Sequence, residues 1–345
     1  MTVLHGVFDH DERQMLITSV KRFCATLTNE EITALDEAPE SGVVEKIRQR
    51  LDDDLGLHSA LLSQERGGLG CDDATFFLAV TEVARASAGL AALLVGHNLA
   101  LWILERSGGQ IAAGHYALAY PFRSDSRTAP FVPGAGQATH FVWVTQSACY
   151  CVARDEPQVT LTDDPAPLAF RAARPGELRI QGADIEGLRV GALRGDDLRQ
   201  LEARVLLGSS AIAAGTLNES YARALAYARE RYQGGRTIIG HPAVRLMLAS
   251  MAAAVQNVRA LIAQATCTAV LDLNACRAAK VHCSEAAGAA TTDAVQVLGG
   301  YGYMRDYGVE RQMREAAYCR VFPRPNEEEM LAFVGASDES LAEEI

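Results

Sequence analysis

Residues 296–303 combine residue types that could contact a large ligand, and they read Gln-Val-Leu-Gly-Gly-Tyr-Gly-Tyr. Because Gly299 and Gly300 have no Cβ, backbone amides or carbonyls at these positions can approach a bound molecule closely. A tight corner between two helices would account for the same glycines without any ligand. More arginines and aromatic residues follow in residues 305–316. The pattern alone leaves both interpretations open.

Patterns typical of a self-contained catalytic centre are missing from the rest of the sequence. The glycines at 299–302 follow a helical pattern rather than a strand, which argues against a dinucleotide-binding loop. Gly208-Ser209-Ser210 also lies within a helical pattern, so it is not a nucleophile elbow. No His-Glu-x-x-His motif or clustered His/Cys set suggests zinc. We therefore predict no metal site and interpret five histidines as isolated structural residues: His97, His115, His140, His241 and His282.

The composition of the 345-residue chain is that of a soluble globular protein, with 49% hydrophobic and 22% charged residues. Its net charge of −11 argues against nucleic acid as a partner. The most apolar stretch, residues 90–104, is interrupted by His97 and Asn98 and is shorter than the roughly 20 residues of a membrane span. It is expected to be a buried core helix. Eight cysteines without a CxxC pair, and no secretory signal at the start, predict a cytoplasmic protein with reduced thiols.

Three regions differ in pattern and predict a mainly α fold with a small β domain. Residues 1–114 are helical, most clearly at 31–35, 43–55 and 74–104. Residues 115–191 contain short strand-like runs separated by proline and glycine, and the loosest part is residues 130–136. Helical periodicity returns in residues 192–345, where a helix over about 278–298 is expected to end at Gly299-Gly300.

Several segments of the C-terminal half resemble the acyl-CoA dehydrogenase family. They are Arg204 with residues 205–208, and residues 228–234, 243–249 and 292–302; residues 65–70 and 82–86 agree more loosely. The resemblance implies an N-terminal helical domain, a middle β-barrel-like domain and a C-terminal four-helix bundle. It also implies FAD as the cofactor and assembly into a dimer or tetramer. We place the three domains at residues 1–114, 115–191 and 192–345, the second of them shortened.

The positions that carry the catalytic base in this family hold no ionisable group here. The usual glutamate lies about ten residues after a Met-Arg pair, and counting from Met313 gives Pro323, which cannot act as a general base. Other members carry the base just before the arginine that aligns with Arg204, and that position is Ala203. Glu202 is one helical step of about 100° away, so we expect it to be turned off the site. We predict no catalytic residue.

The segments that hold the flavin ring within one subunit of the family are also altered. Residues 119–121 read Ala-Tyr-Pro where members have a loop containing Thr-Glu-Pro, and the serine loop after it is shortened to residues 122–125. The nearest match to a Trp-Ile-Thr strand is Trp143-Val144-Thr145, in a different context.

The residues that a neighbouring subunit contributes to FAD are retained. The family's Arg-x-x-Phe and Gln-x-x-Gly-Gly segments match Arg229, Tyr232, Gln296, Gly299 and Gly300. Arginine suits pyrophosphate oxygens, and an aromatic ring at 232 can pack on the adenosine part.

The resemblance therefore implies a shortened, non-catalytic subunit of a heteromeric α2β2 acyl-CoA dehydrogenase, similar to those of actinobacterial steroid side-chain degradation. It would share FAD with a homologous full-length subunit that desaturates an acyl-CoA thioester, and the complex would pass electrons to electron-transfer flavoprotein. Two alternatives stay open: a self-sufficient oxidase or monooxygenase of the same fold, and a flavin-free structural partner.

Overall fold

The computed structural model describes residues 9–120, 127–163, 167–181 and 186–335. Five helices come first: α1 (His10–Thr26), α2 (Asn29–Glu37), α3 (Val43–Leu55), α4 (Asp73–Ala86) and α5 (Ala88–Arg106). The sequence pattern over 74–104 contains two of these helices rather than one. Ser87 separates them because its backbone is extended and its Oγ accepts the N–H of Leu90, which starts α5.

Among the described residues of 116–192, seven strands form two small sheets with a core of their own. One sheet has the order β1 (Tyr116–Ala119), β3 (His140–Val144), β4 (Ala148–Ala153), β7 (Arg189–Ala192), with β1 and β3 parallel. The other has the order β2 (Thr128–Val132), β6 (Gly176–Ile180), β5 (Val159–Asp163), all antiparallel. Phe141, Trp143 and Leu178 are buried in this core.

Strand β2 runs through the segment that we expected to be the loosest of this region. Its ladder with β6 pairs Thr128 and Ala129 regularly and then shifts in register before Val132. Pro130 lies in the shifted part, and since proline has no N–H to donate, a strand tolerates it at such a bulge. The local prediction from proline and glycine content was therefore wrong for residues 130–132.

Long helices form the C-terminal part: α6 (Gly195–Glu230), α7 (Pro242–Ala265), α8 (Leu273–Leu298), α9 (Val309–Cys319) and α10 (Asn326–Gly335). A short hairpin of β8 (Tyr232–Gln233) and β9 (Arg236–Thr237) separates α6 from α7. Helices α6–α9 pack on one another, and α6 also packs on α4 and α5. The crossing with α4 requires Gly215, because an added Cβ would lie 2.6 Å from the Cβ of Ala84.

In the described part of the chain, two helices, α5 and α7, are long and apolar enough to cross a membrane by length and composition alone. Helix α5 is mostly buried inside the protein, as expected of a core helix. Helix α7 is mostly unburied in the single chain, and Leu246 on it is 72% exposed. An apolar exposed helix indicates a surface that another body covers.

Candidate functional site

The loop between α9 and α10, which includes Pro323, is held by a buried lysine on α8. Lys280 has no exposed surface, and its Nζ donates to the carbonyls of Arg320 (3.2 Å) and Arg324 (2.6 Å) and to Oδ1 of Asn326 (2.5 Å). Burial lowers the pKa of Lys280 to about 8, so the ammonium is still the main form at neutral pH. The loop is therefore fixed by three charge-assisted hydrogen bonds.

Beside this loop, four charged side chains form a closed ring of alternating sign. Glu202 Oε1 accepts from Nη2 of Arg324 (2.6 Å) and from Nη2 of Arg277 (3.2 Å). Glu329, which has no exposed surface, faces the same two arginines at 2.7 and 3.4 Å. The four charges cancel, which is the condition for burying them together. Glu202 is thus paired within the ring, which favours a structural role for it.

The family's second base position lies in a different environment. Ala203 is completely buried, and the adjacent Arg204 donates to Asp73 at 2.8 Å. The Arg204 guanidinium also lies over the ring of Trp102, 4.2 Å from its centroid. The carboxylate of Asp73 is therefore committed to an ion pair with Arg204.

The end of β1 meets the same ring of charges. Tyr120 occupies the middle of the altered Thr-Glu-Pro segment. Burial raises the pKa of its phenol to about 12, and the nearby carboxylate of Glu202 adds to the rise. The two segments that differ from the family's pattern therefore converge on one place. Residues 122–125, where the shortened serine loop was predicted, lie outside the described residues.

Aromatic rings fill the space between the β domain and the C-terminal helices near this loop. Phe131 and Phe170 pack on Tyr318, and their ring centroids lie 4.6 and 4.9 Å from the centroid of the Tyr318 ring. Phe322, next to Pro323, lies 5.7 and 5.8 Å from the same two phenylalanine rings. Trp143 belongs to the core between the two sheets and is only 2% exposed, so it does not line this region.

The five residues predicted to contact FAD lie at the ends of α6 and α8, and all five are exposed. Ring packing joins these two ends: Tyr227 and Tyr301 have centroids 6.2 Å apart, and the Arg231 guanidinium lies 5.6 Å from the Tyr301 ring. Within the described residues, the side chains of Arg229, Tyr232 and Gln296 take part in no hydrogen bond or ion pair. Their polar groups are available to a ligand.

The paired glycines at the end of α8 differ in what requires them. Gly299 has φ +60°, a conformation that favours glycine, and it terminates α8 as predicted. Gly300 does not have a positive φ, and an added Cβ would meet nothing within 4 Å. Nothing within the described chain therefore requires glycine at 300. The bare backbone and the open space beside it fit an approaching ligand, so the residues present suit the outer, ADP part of FAD.

Three histidines come together between the N-terminal helices and the β domain, and the prediction that His97 and His115 are isolated was wrong. The rings of His58 and His97 stack with centroids 3.5 Å apart, and His115 lies edge-on 5.4 Å from His58. One ring nitrogen from each lies within 4.8 Å of the others. Burial lowers the pKa of all three, to about 3 for His58, and the nearby Arg48 adds to the effect.

These histidines should make the protein sensitive to mild acid. Below about pH 6.5 these histidines bind protons in the unfolded chain but stay neutral in the folded chain. The free energy of unfolding therefore falls as the pH falls, by up to about 1.4 kcal/mol per pH unit for each histidine. Buried Glu315 has the opposite effect on stability. Its pKa is raised to about 7, so between pH 7 and pH 4.5 the folded state binds this proton more tightly than the unfolded state does. Three groups outweigh one, so stability should fall between pH 6.5 and 4.5.

Urea unfolding at pH 7 and pH 5.5 measures this effect. His115→Gln should reduce the loss of stability between the two pH values by up to one histidine's share relative to the unaltered chain. An unchanged pH dependence in His115→Gln would contradict the assignment.

Sequence reasoning missed Lys280 and Glu329. Lys280 could have been found, because Cys276, Lys280, Cys283 and Ala287 share the buried face of α8 at helical spacing. A lysine on such a face requires acceptors. No comparable local signal pairs Glu202 with Arg324, which is 122 residues away.

The chain matches two family models, the N-terminal domain of acyl-CoA dehydrogenase over residues 10–115 and the C-terminal domain over residues 203–328. An acyl-CoA dehydrogenase of Bacillus subtilis (strain 168) is 27% identical, covering 84% of this chain and 90% of the relative.

Solved structures agree in fold. Glutaryl-CoA dehydrogenase from Mycobacterium smegmatis superposes with a TM-score of 0.85 at 18% identity, covering 96% of both chains. Butyryl-CoA dehydrogenase from Megasphaera elsdenii superposes with a TM-score of 0.82 at 19% identity, covering 95% of this chain and 98% of that one. The predicted order of helical domain, small β domain and helical domain is confirmed. With both terminal domains matched and the fold shared throughout, the chain belongs to the acyl-CoA dehydrogenase family of flavoenzymes.

Proposed function

We propose that this chain is the non-catalytic subunit of a heteromeric FAD-dependent acyl-CoA dehydrogenase. The observation that carries the proposal is the contrast between the positions of the catalytic base and the residues predicted to contact FAD. Where the family has a base, this chain has Pro323 and Ala203, and the side chains around that loop are neutralised in the ring formed by Glu202, Arg277, Arg324 and Glu329. The residues that would contact FAD from a neighbouring subunit are exposed, and their side chains make no hydrogen bond or ion pair with the described part of the chain.

FAD, when bound, would accept the hydride from the β-carbon of an acyl-CoA while a carboxylate of the partner subunit removes the α-proton. This chain's residues would act on the ADP part. The guanidinium of Arg229 would donate two parallel N–H bonds to pyrophosphate oxygens, and the ring of Tyr232 would pack on the adenosine. Gln296 would hydrogen-bond to the nucleotide, while Gly299 and Gly300 would leave backbone groups within reach of it.

The exposed apolar surface of the C-terminal helices supports association with a partner. Leu246 on α7 and Val270 just after it are each 72% exposed. Leaving such side chains in water costs about 25 cal/mol per Å² of apolar surface relative to burial. A homologous full-length subunit, which carries the same fold, is the proposed partner.

The finer features of the reaction rest on the resemblance. The proposed substrate is an acyl-CoA with a bulky acyl group such as a steroid side chain, and electron-transfer flavoprotein is the proposed electron acceptor. The eight cysteines form no disulfide, which supports a reducing compartment such as the cytoplasm.

Co-expression tests the proposal. The chain should be purified alone and together with a full-length family member encoded beside it, and the visible flavin absorbance and particle mass of each sample recorded. The lone chain is expected to be colourless, and the co-expressed sample to be a yellow complex with the mass of two copies of each subunit. A lone chain with one FAD per subunit would overturn the shared site and favour a self-sufficient oxidase. A complex that binds no flavin would favour the structural partner.

A further inference from the structure

A small cavity lies where α3, α5, the start of β1 and the loop between β2 and β3 meet, away from the charge ring and the exposed glycines. Its volume is about 30 Å³, enough for about two waters or a few ligand atoms, and it is partly open to solvent. Leucines of α3 and α5 line one side. The polar side is formed by Arg48, His58, His97, His115 and Gln137.

His97 directs an unpaired hydrogen-bond donor into this cavity. Its side chain is almost entirely buried, with 5% of the residue exposed. Nδ1 accepts the backbone N–H of Tyr116 at 3.0 Å, so in the neutral imidazole the proton must be on Nε2. The hydrogen bonds of the described residues provide no acceptor for Nε2. His97 lines a cavity that is partly open to solvent, so a ligand oxygen can accept from Nε2 there in place of water.

Arg48 provides a second donor. Its Nε and Nη2 bond to the carboxylate of Glu45 at 3.2 and 2.6 Å, whereas Nη1 points to the other side and lies 3.1 Å from Nε2 of His58. Nη1 also lies 3.4 Å from Nδ1 of His58, but only one nitrogen of a neutral imidazole can accept, so one of the two hydrogens on Nη1 remains for a ligand.

The three histidines do not suit a metal ion. A metal at Nε2 of His97 would require the proton on Nδ1, where it would face the N–H of Tyr116. Metals bind in the plane of an imidazole ring, and the stacked rings of His58 and His97, 20° apart, share no such plane. The Arg48 guanidinium beside them would repel the ion.

We propose that this cavity binds a small carboxylate. One oxygen accepts from Nε2 of His97 and the other from Nη1 of Arg48, while the leucines Leu51, Leu90 and Leu94 contact the alkyl end. The ligand chemistry follows from the lining: His97 and Arg48 provide N–H donors on one side of the cavity and leucines form the other side, which complements a carboxylate with a short hydrocarbon tail.

Nearby charges set the affinity. Glu45 neutralises Arg48 from outside, and Asp52 also acts on His115, so binding should be weak, with a dissociation constant in the millimolar range. The neutral form of His97 is the form that binds, because its Nδ1 accepts the N–H of Tyr116.

The test is a titration of the full chain with sodium acetate against sodium chloride of equal ionic strength, followed by the histidine Cε1–H resonances in NMR. Acetate, and not chloride, should shift the His58 and His115 resonances to saturation. His97→Asn should weaken binding at least tenfold, because the asparagine Oδ1 can still accept the Tyr116 N–H but the inward donor is lost. Arg48→Gln should weaken binding similarly.

Arg50→Gln is the matched control, since Arg50 lies on the same helix but pairs with Glu31 outside the cavity. Its acetate titration should match that of the unaltered chain. The proposal is overturned if acetate produces no saturable shift, if His97→Asn and Arg50→Gln bind acetate equally well, or if Zn²⁺ alone saturates the three histidines with release of protons.

Discussion

Lys280→Met is expected to lower the free energy of unfolding by about 3 kcal/mol. Methionine has a similar length and fills the same space, but it removes three charge-assisted hydrogen bonds, to the carbonyls of Arg320 and Arg324 and to Oδ1 of Asn326. Two of these acceptors keep a weaker donor, because the N–H of Asn326 also donates to the Arg320 carbonyl and Oγ of Ser284 also donates to Oδ1 of Asn326. Each lost hydrogen bond to a charged group costs about 1.5–3 kcal/mol, and removal of the buried charge offsets much of the sum. The loop that includes Pro323 should loosen as a result.

Urea unfolding measures this loss, with Lys46→Met as the control because Lys46 is a surface lysine whose side chain is 68% exposed. The control should change stability by less than about 0.5 kcal/mol. A Lys280→Met protein as stable as the control would mean that the three hydrogen bonds do not hold the loop. Hydrogen exchange at the amides of residues 320–326 gives a second readout, which should become faster in Lys280→Met alone.

Arg229→Ala is expected to strip FAD from the proposed complex without dissociating it. A charge-assisted, bidentate contact to pyrophosphate contributes about 2–3 kcal/mol, so FAD should bind roughly a hundredfold more weakly. Since Arg229 is exposed and makes no hydrogen bond or ion pair among the described residues, the folded chain itself should be as stable as before. The flavin absorbance per mole of purified complex measures the loss, and light scattering checks that the subunits stay together.

Arg199→Ala is the matched control, because Arg199 is an exposed arginine near the other end of the same helix, α6. It should leave the complex yellow. Equal flavin content in Arg229→Ala and Arg199→Ala would remove Arg229 from the FAD site, and a loss of stability in Arg229→Ala alone would assign it a structural role instead.

The Tyr120 and Glu202 segments illustrate how far sequence reasoning extended towards the site. Each was identified separately as a departure from the family's pattern, and Glu202 was expected to be turned away from the chemistry. The sequence did not indicate that Glu202 pairs with Arg324 or that both charges act on Tyr120, because this arrangement joins the end of a strand, a long helix and a loop far apart in the chain. The histidine cluster was missed for the same reason, since His58, His97 and His115 have no common spacing.

Helix positions were predictable because their signals are local. The periodic apolar residues of α3 matched its limits, Val43–Leu55, and the paired glycines marked the end of α8 at Leu298. The sequence by itself thus determined the limits of α3, the end of α8, the family and the absence of an ionisable group at 203 and 323. Only the tertiary structure decided which charges neutralise one another around Pro323 and which histidines share a cavity. Those contacts depend on how helices and sheets pack, and packing brings together residues that no spacing along the chain connects.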